Sequence, residues 1–196
     1  FEGTKIIASS DLDEWLIESL KKQDAKIDIW GVGTRLVTAY SCPALGGIYK
    51  LTAIAENGKM VPKIKRSDNP EKITNPGVKK LVRYYDESGM MRGDVLFLED
   101  EGPYPDKPTR AYHPVYPHIY KAYPPNFERE ELLVPIFVDG KRVYDTPPLK
   151  EIQKNTKRNL DRLGSEFKRF QNPHLYHVSL SEKLFRVKQE LLMNAY

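Results

Sequence analysis

The stretch Ile27–Tyr40, IDIWGVGTRLVTAY, decides the class of fold. Ile27–Trp30 is typical of a buried strand that stops at the loop Gly31–Thr34, and Arg35–Ala39 suits a short helix. Glycines after a strand let the backbone approach a ligand closely, and free N–H groups at a helix start favour a phosphate. A plain tight turn is the alternative, because two glycines separated by one residue are a weak motif.

A second unit of the same kind comes just before this stretch. Thr4–Ala8 is a short apolar strand, and Ser9, Ser10 and Asp11 follow it. All three are good N-cap types, and Ser10 or Asp11 is predicted to start a helix that runs through about Lys22. Strand, loop and helix in repeated order predict parallel strands in an α/β layer or barrel, with both loops at one ligand-binding rim. An ordinary helix cap is the alternative for the first loop.

The remaining sequence changes from this βα pattern to strands and then to helices. Three regions are therefore predicted: terminal βα units in 1–45, a β-rich antiparallel region in 46–146, and C-terminal helices in 147–196. The expected elements are the strands Ile48–Ala55, Lys63–Arg66, Val78–Asp86 and Val95–Leu98, turns at ENGK and DESG, a hairpin turning at Asp139-Gly140, and the helices Leu149–Phe170 and Ser181–Met193.

Basic and aromatic residues of the middle region give two further hypotheses. Lys63 and Lys65 would lie on one face of their strand and are candidates for binding pyrophosphate, the alternative being a solvated face. The segment Tyr112–Tyr123, YHPVYPHIYKAY, could stack on nucleic-acid bases, but Tyr and Pro with interleaved His favour a loop packed on a neighbouring domain.

Composition limits the classes of function. The 196 residues carry a net charge of +4, with acidic and basic residues interspersed, which argues against a nucleic-acid face and suits a small anion. The single cysteine and four histidines lack metal-site spacing, so no metal site is expected. No apolar run is long enough to span a membrane and no signal peptide opens the chain, so we expect a cytoplasmic protein. The start at Phe1 favours a piece of a longer protein.

Four segments carry a resemblance to a known family. They are IIASSDLDEWLIESL (6–20), IDIWGVGTRLVTAYSCPALGGIYKL (27–51), KITNPGVKKLVR (72–83) and NPHLYHVSLSEKL (172–184). In this order they resemble the C-terminal part of the nicotinate phosphoribosyltransferases. The first two segments are specific, whereas the middle loops match poorly.

The resemblance implies a fold and a reaction. The fold would be the last βα units of an incomplete α/β (TIM-like) barrel, followed by a β-rich region and C-terminal helices. The reaction joins nicotinate to 5-phosphoribosyl 1-diphosphate (PRPP) in NAD biosynthesis and forms nicotinate mononucleotide and pyrophosphate. ATP hydrolysis through a phosphorylated histidine accompanies it, Mg²⁺ is expected with PRPP and ATP, and the family works as homodimers that share sites across the interface.

The resemblance also assigns the candidate site residues. The PRPP and phosphate ligands are expected to be Ser9, Ser10, Asp11, Gly31, Val32, Gly33 and Thr34. None of the four histidines matches the phosphorylated one, so we expect no catalytic residue in this chain and place that histidine upstream, in the same or a second polypeptide. Three alternatives stay open: a non-catalytic phosphate- or nucleotide-binding module, a nicotinamide-specific enzyme, and a basic nucleic-acid-binding protein.

Overall fold

The computed structural model describes residues 1–101 and 106–194. The chain divides into two compact units, residues 1–49 and 50–196. The last two residues of the predicted helical region 147–196 lie outside the described residues. No described helix combines the length and the apolar character that a membrane crossing needs.

The elements follow one another as the mixed α/β order predicts. The first unit holds β1 (Ile7–Ser9), α1 (Glu14–Lys22), β2 (Ile29–Gly31) and α2 (Thr34–Val37). The second unit holds β3 (Ala53–Glu56), β4 (Lys59–Pro62), β5 (Lys79–Tyr85), β6 (Met91–Leu98), β7 (Thr109–Tyr112), β8 (Tyr120–Tyr123), β9 (Glu128–Glu131), β10 (Phe137–Val138), β11 (Lys141–Arg142), α3 (Leu149–Arg162), β12 (Val178–Ser181) and α4 (Glu182–Met193), with 3₁₀ turns at Pro70–Lys72 and Ser165–Phe167.

In the first unit, β1 and β2 pair in parallel, which confirms that prediction. The helix start was predicted wrongly. Ser10 and Asp11 have φ of 78° and 48°, a left-handed conformation that a helix does not continue. The cap is Asp13, whose extended backbone lets its side chain accept a hydrogen bond of 2.8 Å from the N–H of Leu16. The helix α1 therefore begins at Glu14, with Ser10 and Asp11 in the loop before it.

A six-stranded mixed sheet dominates the second unit, in the order β8-β7-β12-β6-β5-β9. The pair β12 and β6 is parallel and the other pairs are antiparallel. The predicted turns are present: Asn57-Gly58 closes the β3–β4 hairpin and Asp139-Gly140 closes the β10–β11 hairpin, each with φ positive at both residues. A short connection of residues 86–90 joins β5 to β6.

Three predicted elements of this unit were wrong. Lys63–Arg66 is not a strand, because the tight turn at Asn57-Gly58 pairs Ala53–Glu56 with Lys59–Pro62 and leaves the later residues beyond the ladder. The long helix ends at Arg162, because Leu163 is extended. The segment Tyr112–Tyr123 is not a single loop, since its ends belong to β7 and β8.

The C-terminal region contributes a strand as well as helices. Val178–Ser181, or β12, lies between β6 and β7 in the middle of the sheet. Ser181 then caps α4, as predicted, by accepting a hydrogen bond of 3.2 Å from the N–H of Leu184. Apolar side chains form two core clusters on the sheet: Val82, Tyr84, Val95, Phe97, Ala111 and Tyr123 in one, and Leu98, Leu180 and Leu184 in the other.

A buried lysine ties α4 to two loops. Lys188 is 3% exposed, and its ammonium donates to the side-chain oxygen of Asn75 and to the carbonyl of Pro114, both at 2.9 Å. Asn75 belongs to the loop before β5, and Pro114 to the loop after β7. Burial lowers the pKa of Lys188 from its ordinary value.

We expect Lys188→Met to lower the free energy of unfolding by about 1–3 kcal/mol at neutral pH, since two buried acceptors lose their donor.

The unfolded chain holds more protons than the native one between the lowered pKa of Lys188 and 10.5, so stability rises with pH across that window. The variant should flatten this rise, measured as urea midpoints against pH. The exposed Lys183→Met on the same helix is the control, with a loss of about 0–1 kcal/mol. Equal losses in the two variants would contradict the assignment.

Candidate functional site

The two predicted loops lie side by side at one edge of the parallel pair β1–β2. Ser9 stands opposite Gly31 in the register, so the chain leaves both strands at the same level. A Cβ added to Gly31 would lie 3.3 Å from the Cβ of Ser9, which is tighter than most such contacts. Glycine at 31 therefore permits the close approach of the two loop starts.

The first loop is shaped by its backbone. Ser9, Ser10 and Asp11 are all exposed, and the last two adopt left-handed conformations. They precede the capping residue Asp13, so they do not supply the helix start that the sequence predicted for them. Their hydroxyl and carboxylate groups remain available at the edge where β1 ends.

The second loop opens α2 without a side-chain cap. Gly33 is the N-cap residue and no side chain accepts from the first turn. The first N–H groups of a helix have no acceptor within it, so those after Gly33 can serve a ligand. A Cβ built on Gly33 would meet nothing within 4 Å, so there is open space above this residue. Val32 is half-buried, whereas Thr34 is exposed.

An ion pair that the sequence did not predict joins the two helices. Arg35, the second residue of α2, lies 3.2 Å from the carboxylate of Asp13, and its guanidinium stacks 4.6 Å from the ring centre of Tyr40. These three residues, with Trp15, Val32 and Leu36, line a cleft of about 600 Å³. A basic residue straight after the glycine loop was the sequence signal that could have revealed this contact.

The two candidate lysines lie in the second unit and have different surroundings. The ammonium of Lys63 lies 2.7 Å from the carboxylate of Glu56, and the two side chains are 38% and 49% exposed, so the pair is weakly held. Lys65 is exposed, and its backbone N–H donates to the hydroxyl of Thr74 at 2.8 Å. The predicted arrangement on one strand face is therefore absent, while the pyrophosphate role stays a prediction.

The histidines all lie between residues 113 and 177, in the second unit. The Nδ1 atom of His113 accepts from the N–H groups of Val115 and Tyr116, both at 3.1 Å, which is a structural use of the ring. Within the described part of the chain, no group of three or more His, Cys, Asp or Glu side chains could hold a metal ion.

Comparisons with known proteins agree on one family. Residues 78–188 match the model described as "Nicotinate phosphoribosyltransferase C-terminal domain". The chain is 47% identical over 191 residues to the nicotinate phosphoribosyltransferase of Bacillus subtilis (strain 168), covering 97% of this chain and 39% of that protein. It is 36% identical over 198 residues to the Caenorhabditis elegans protein of the same name, covering 100% of this chain and 34% of that one.

A solved structure is similar as well. The crystal structure of human nicotinic acid phosphoribosyltransferase superposes with a TM-score of 0.72 at 26% identity, covering 97% of this chain and 34% of that one. The mixed α/β fold expected from the sequence is therefore confirmed. The chain spans between a third and two fifths of the length of these relatives.

Proposed function

Because the chain belongs to the nicotinate phosphoribosyltransferase family, we propose that the natural polypeptide carrying it joins nicotinate to PRPP. The products are nicotinate mononucleotide and pyrophosphate, in NAD biosynthesis. Ser9, Ser10 and Asp11 hold the ribose side of PRPP, and Gly31–Thr34 bind the 5′-phosphate. The observation that carries the assignment is the opposition of Ser9 and Gly31, which brings both loops to one edge.

The chemistry explains what such loops contribute. Glycosyl transfer at the ribose C1 passes through a cation-like sugar as pyrophosphate leaves and the pyridine nitrogen attacks. A phosphate held far from C1 supplies binding energy that fixes the sugar relative to the ring. The uncapped start of α2 and the open space above Gly33 suit an anion. Arg35 adds a nearby positive charge, partly neutralised by Asp13.

The two βα units belong, in this proposal, to an incomplete α/β barrel. Support comes from the exposure of apolar side chains on both strands: Ile7 is 62% exposed and Ile29 is 42% exposed. Parallel sheets are normally covered on both faces, so a pair this exposed needs further elements around it. Barrel active sites form at the carboxyl ends of the strands, where both loops lie.

The remaining parts of the proposal come from the sequence and from the family. Lys63 and Lys65 are proposed to approach pyrophosphate, and the weak Glu56 pair leaves Lys63 able to exchange partners. The described residues include no group of three or more His, Cys, Asp or Glu side chains for Mg²⁺, so substrate phosphates would hold the ion. The proposal also includes ATP hydrolysis through a phosphorylated histidine elsewhere in the molecule. It further includes a homodimer in the cytoplasm that has no nucleic-acid or membrane partner.

The test is an assay of the purified natural polypeptide for mononucleotide formation. Nicotinate and nicotinamide are supplied separately with PRPP, each with and without ATP and Mg²⁺. We expect the higher kcat/KM with nicotinate and stimulation by ATP. A preference for nicotinamide would replace the substrate assignment. If neither nicotinate nor nicotinamide is converted to its mononucleotide, the enzyme assignment is refuted and a binding module takes its place.

A further inference from the structure

A second cleft lies within residues 50–196, and we call it the β6–β8 cleft. Its volume is about 540 Å³, within the size range of small-molecule sites. Arg92 from β6 and Lys121 from β8 line it, together with His174, His177 and the aromatic ring of Phe167. The proposed PRPP loops use none of these residues.

The curl of the sheet creates this cleft. In the sheet order two strands separate β8 from β6, yet the ammonium of Lys121 lies 3.5 Å from the carbonyl of Arg92. On the same side of β8, the ring of Tyr123 stacks on Tyr84 of β5, with ring centres 4.5 Å apart. The side chains of β8 therefore reach over the start of β6 and close one side of the cleft.

A β-bulge directs Arg92 toward this space. Tyr84 pairs with Gly93 and Tyr85 pairs with Met91, so Arg92 is the extra residue of the bulged strand. Bulges re-aim a side chain and recur beside binding sites. Gly93 next to it has φ of +151°, and a Cβ there would collide with the hydroxyl of Tyr123, so only glycine fits. The local backbone is thus built around the position of Arg92.

The positive groups of the cleft are poorly neutralised. Arg92 reaches the carboxylate of Asp86 only at 3.9 Å, the limit of an ion pair. Burial, and then the charge of Arg92, lowers the pKa of Lys121. Burial, and then Lys121 and His113, lowers the pKa of His177. The lowered pKa of His177 favours its neutral ring, so the two positive groups are Arg92 and Lys121. An anion placed between these two groups would relieve the repulsion that lowers the pKa of Lys121.

The acidic residue of the cleft does not pair with these cations. Of the described residues lining the cleft, only Glu166 is acidic. Its carboxylate folds back over Gly164, where a Cβ would lie 2.5 Å from Oε2. No ion pair joins Glu166 to Arg92 or Lys121 within residues 1–101 and 106–194. The positive charge is therefore left for a ligand.

We propose that the β6–β8 cleft binds a small-molecule phosphate monoester. The phosphate lies between Arg92 and Lys121, because two cations match a dianion and guanidinium recognises phosphate through paired hydrogen bonds. The cleft is far larger than one phosphate, so the ligand carries an organic part. That part packs on Phe167 and Leu175, which give the cleft an apolar side.

The test is calorimetric titration of the natural polypeptide with AMP, inorganic phosphate and adenosine. We expect AMP to bind and adenosine to bind at least ~10-fold more weakly. The double variant Arg92→Gln/Lys121→Gln should lower the affinity for AMP at least ~10-fold, because charge-assisted hydrogen bonds are lost. Arg110→Gln, an exposed cation on β7, is the matched control and should leave affinity unchanged. All titrations are repeated with Gly33→Val, which weakens binding at the proposed PRPP loop, so that binding that persists unchanged is assigned to the cleft.

Two further measurements keep the result decisive. Circular dichroism and unfolding midpoints establish that the double variant folds, and Arg92→Lys/Lys121→Arg should restore most of the affinity. The proposal is overturned if neither AMP nor inorganic phosphate binds in the Gly33→Val background, or if AMP binds no better than adenosine. The proposal also fails if the double Gln variant binds AMP with the affinity of the parent. It fails equally if Arg110→Gln lowers the affinity for AMP as much as the double Gln variant does.

Discussion

Asp94→Ala is expected to lower the free energy of unfolding by about 3–5 kcal/mol, because it leaves a largely buried guanidinium unpaired. Asp94 is 5% exposed and accepts three hydrogen bonds of 2.8 Å, two from Arg83 and one from the hydroxyl of Tyr176. The hydrogen bond to Asp94 raises the pKa of Arg83 in the parent protein. Without that partner the guanidinium still stays charged at neutral pH, because the ordinary pKa of arginine is far above 7. Urea unfolding followed by tyrosine fluorescence measures the loss.

A graded series separates this effect from general damage. Tyr176→Phe removes one of the three hydrogen bonds to the carboxylate and should cost about 1.5–3 kcal/mol, less than Asp94→Ala. Asp100→Ala removes the exposed partner of Lys183 and should cost about 0–1 kcal/mol. The double change Asp94→Leu/Arg83→Met removes both charges and should cost less than Asp94→Ala alone. If Asp94→Ala costs no more than Asp100→Ala, the buried pair does not stabilise the sheet as described.

Gly33→Val, in the natural polypeptide, is expected to raise the KM for PRPP at least ~10-fold. The loss of one charge-assisted phosphate anchor corresponds to roughly 1.5–3 kcal/mol. A Cβ at this position meets no protein atom within 4 Å, so the side chain is expected to extend into the space proposed for the phosphate. Steady-state kinetics at saturating nicotinate measure the change.

Two glycine variants serve as controls for this prediction. Gly33→Ala adds one methyl group and should produce a smaller increase in KM. Gly46→Val adds the same side chain at another glycine with open surroundings in residues 1–49, and should leave the KM near its parent value. Unchanged kinetics in Gly33→Val would remove the glycine loop from the PRPP site, while an equal increase in Gly46→Val would show that the effect is not local.

Local signals predicted the parts of the fold that local physics controls. Asn57-Gly58 and Asp139-Gly140 form the expected turns, because both positions need φ > 0 and these residue types tolerate it. The strand β12 was missed because it has four residues, and pairing with β6 and β7 decides its conformation. The late start of α1 was missed because Ser9, Ser10 and Asp11 are all N-cap types, whereas the residue that caps the helix is Asp13.

The sequence predicted one contact of the candidate site and missed another. The neighbourhood of Ser9 and Gly31 followed from element order, because consecutive βα units place their loops at one edge. The contact between Asp13 and Arg35 did not, since it depends on where two helices begin. The β6–β8 cleft gave no sequence signal: Arg92, Lys121 and His177 are scattered, and only the bulge and the sheet curl bring them together.

The place of β12 has a consequence for biogenesis. Because this strand is inserted between β6 and β7, a ribosome must release Val178–Ser181 before the sheet can close. Until then β6 and β7 each have an unpaired edge that can form hydrogen bonds with another nascent chain. Such long-range closure is slow and exposes the chain to misassembly. Chaperone demand should therefore persist at least until β12 has left the ribosome.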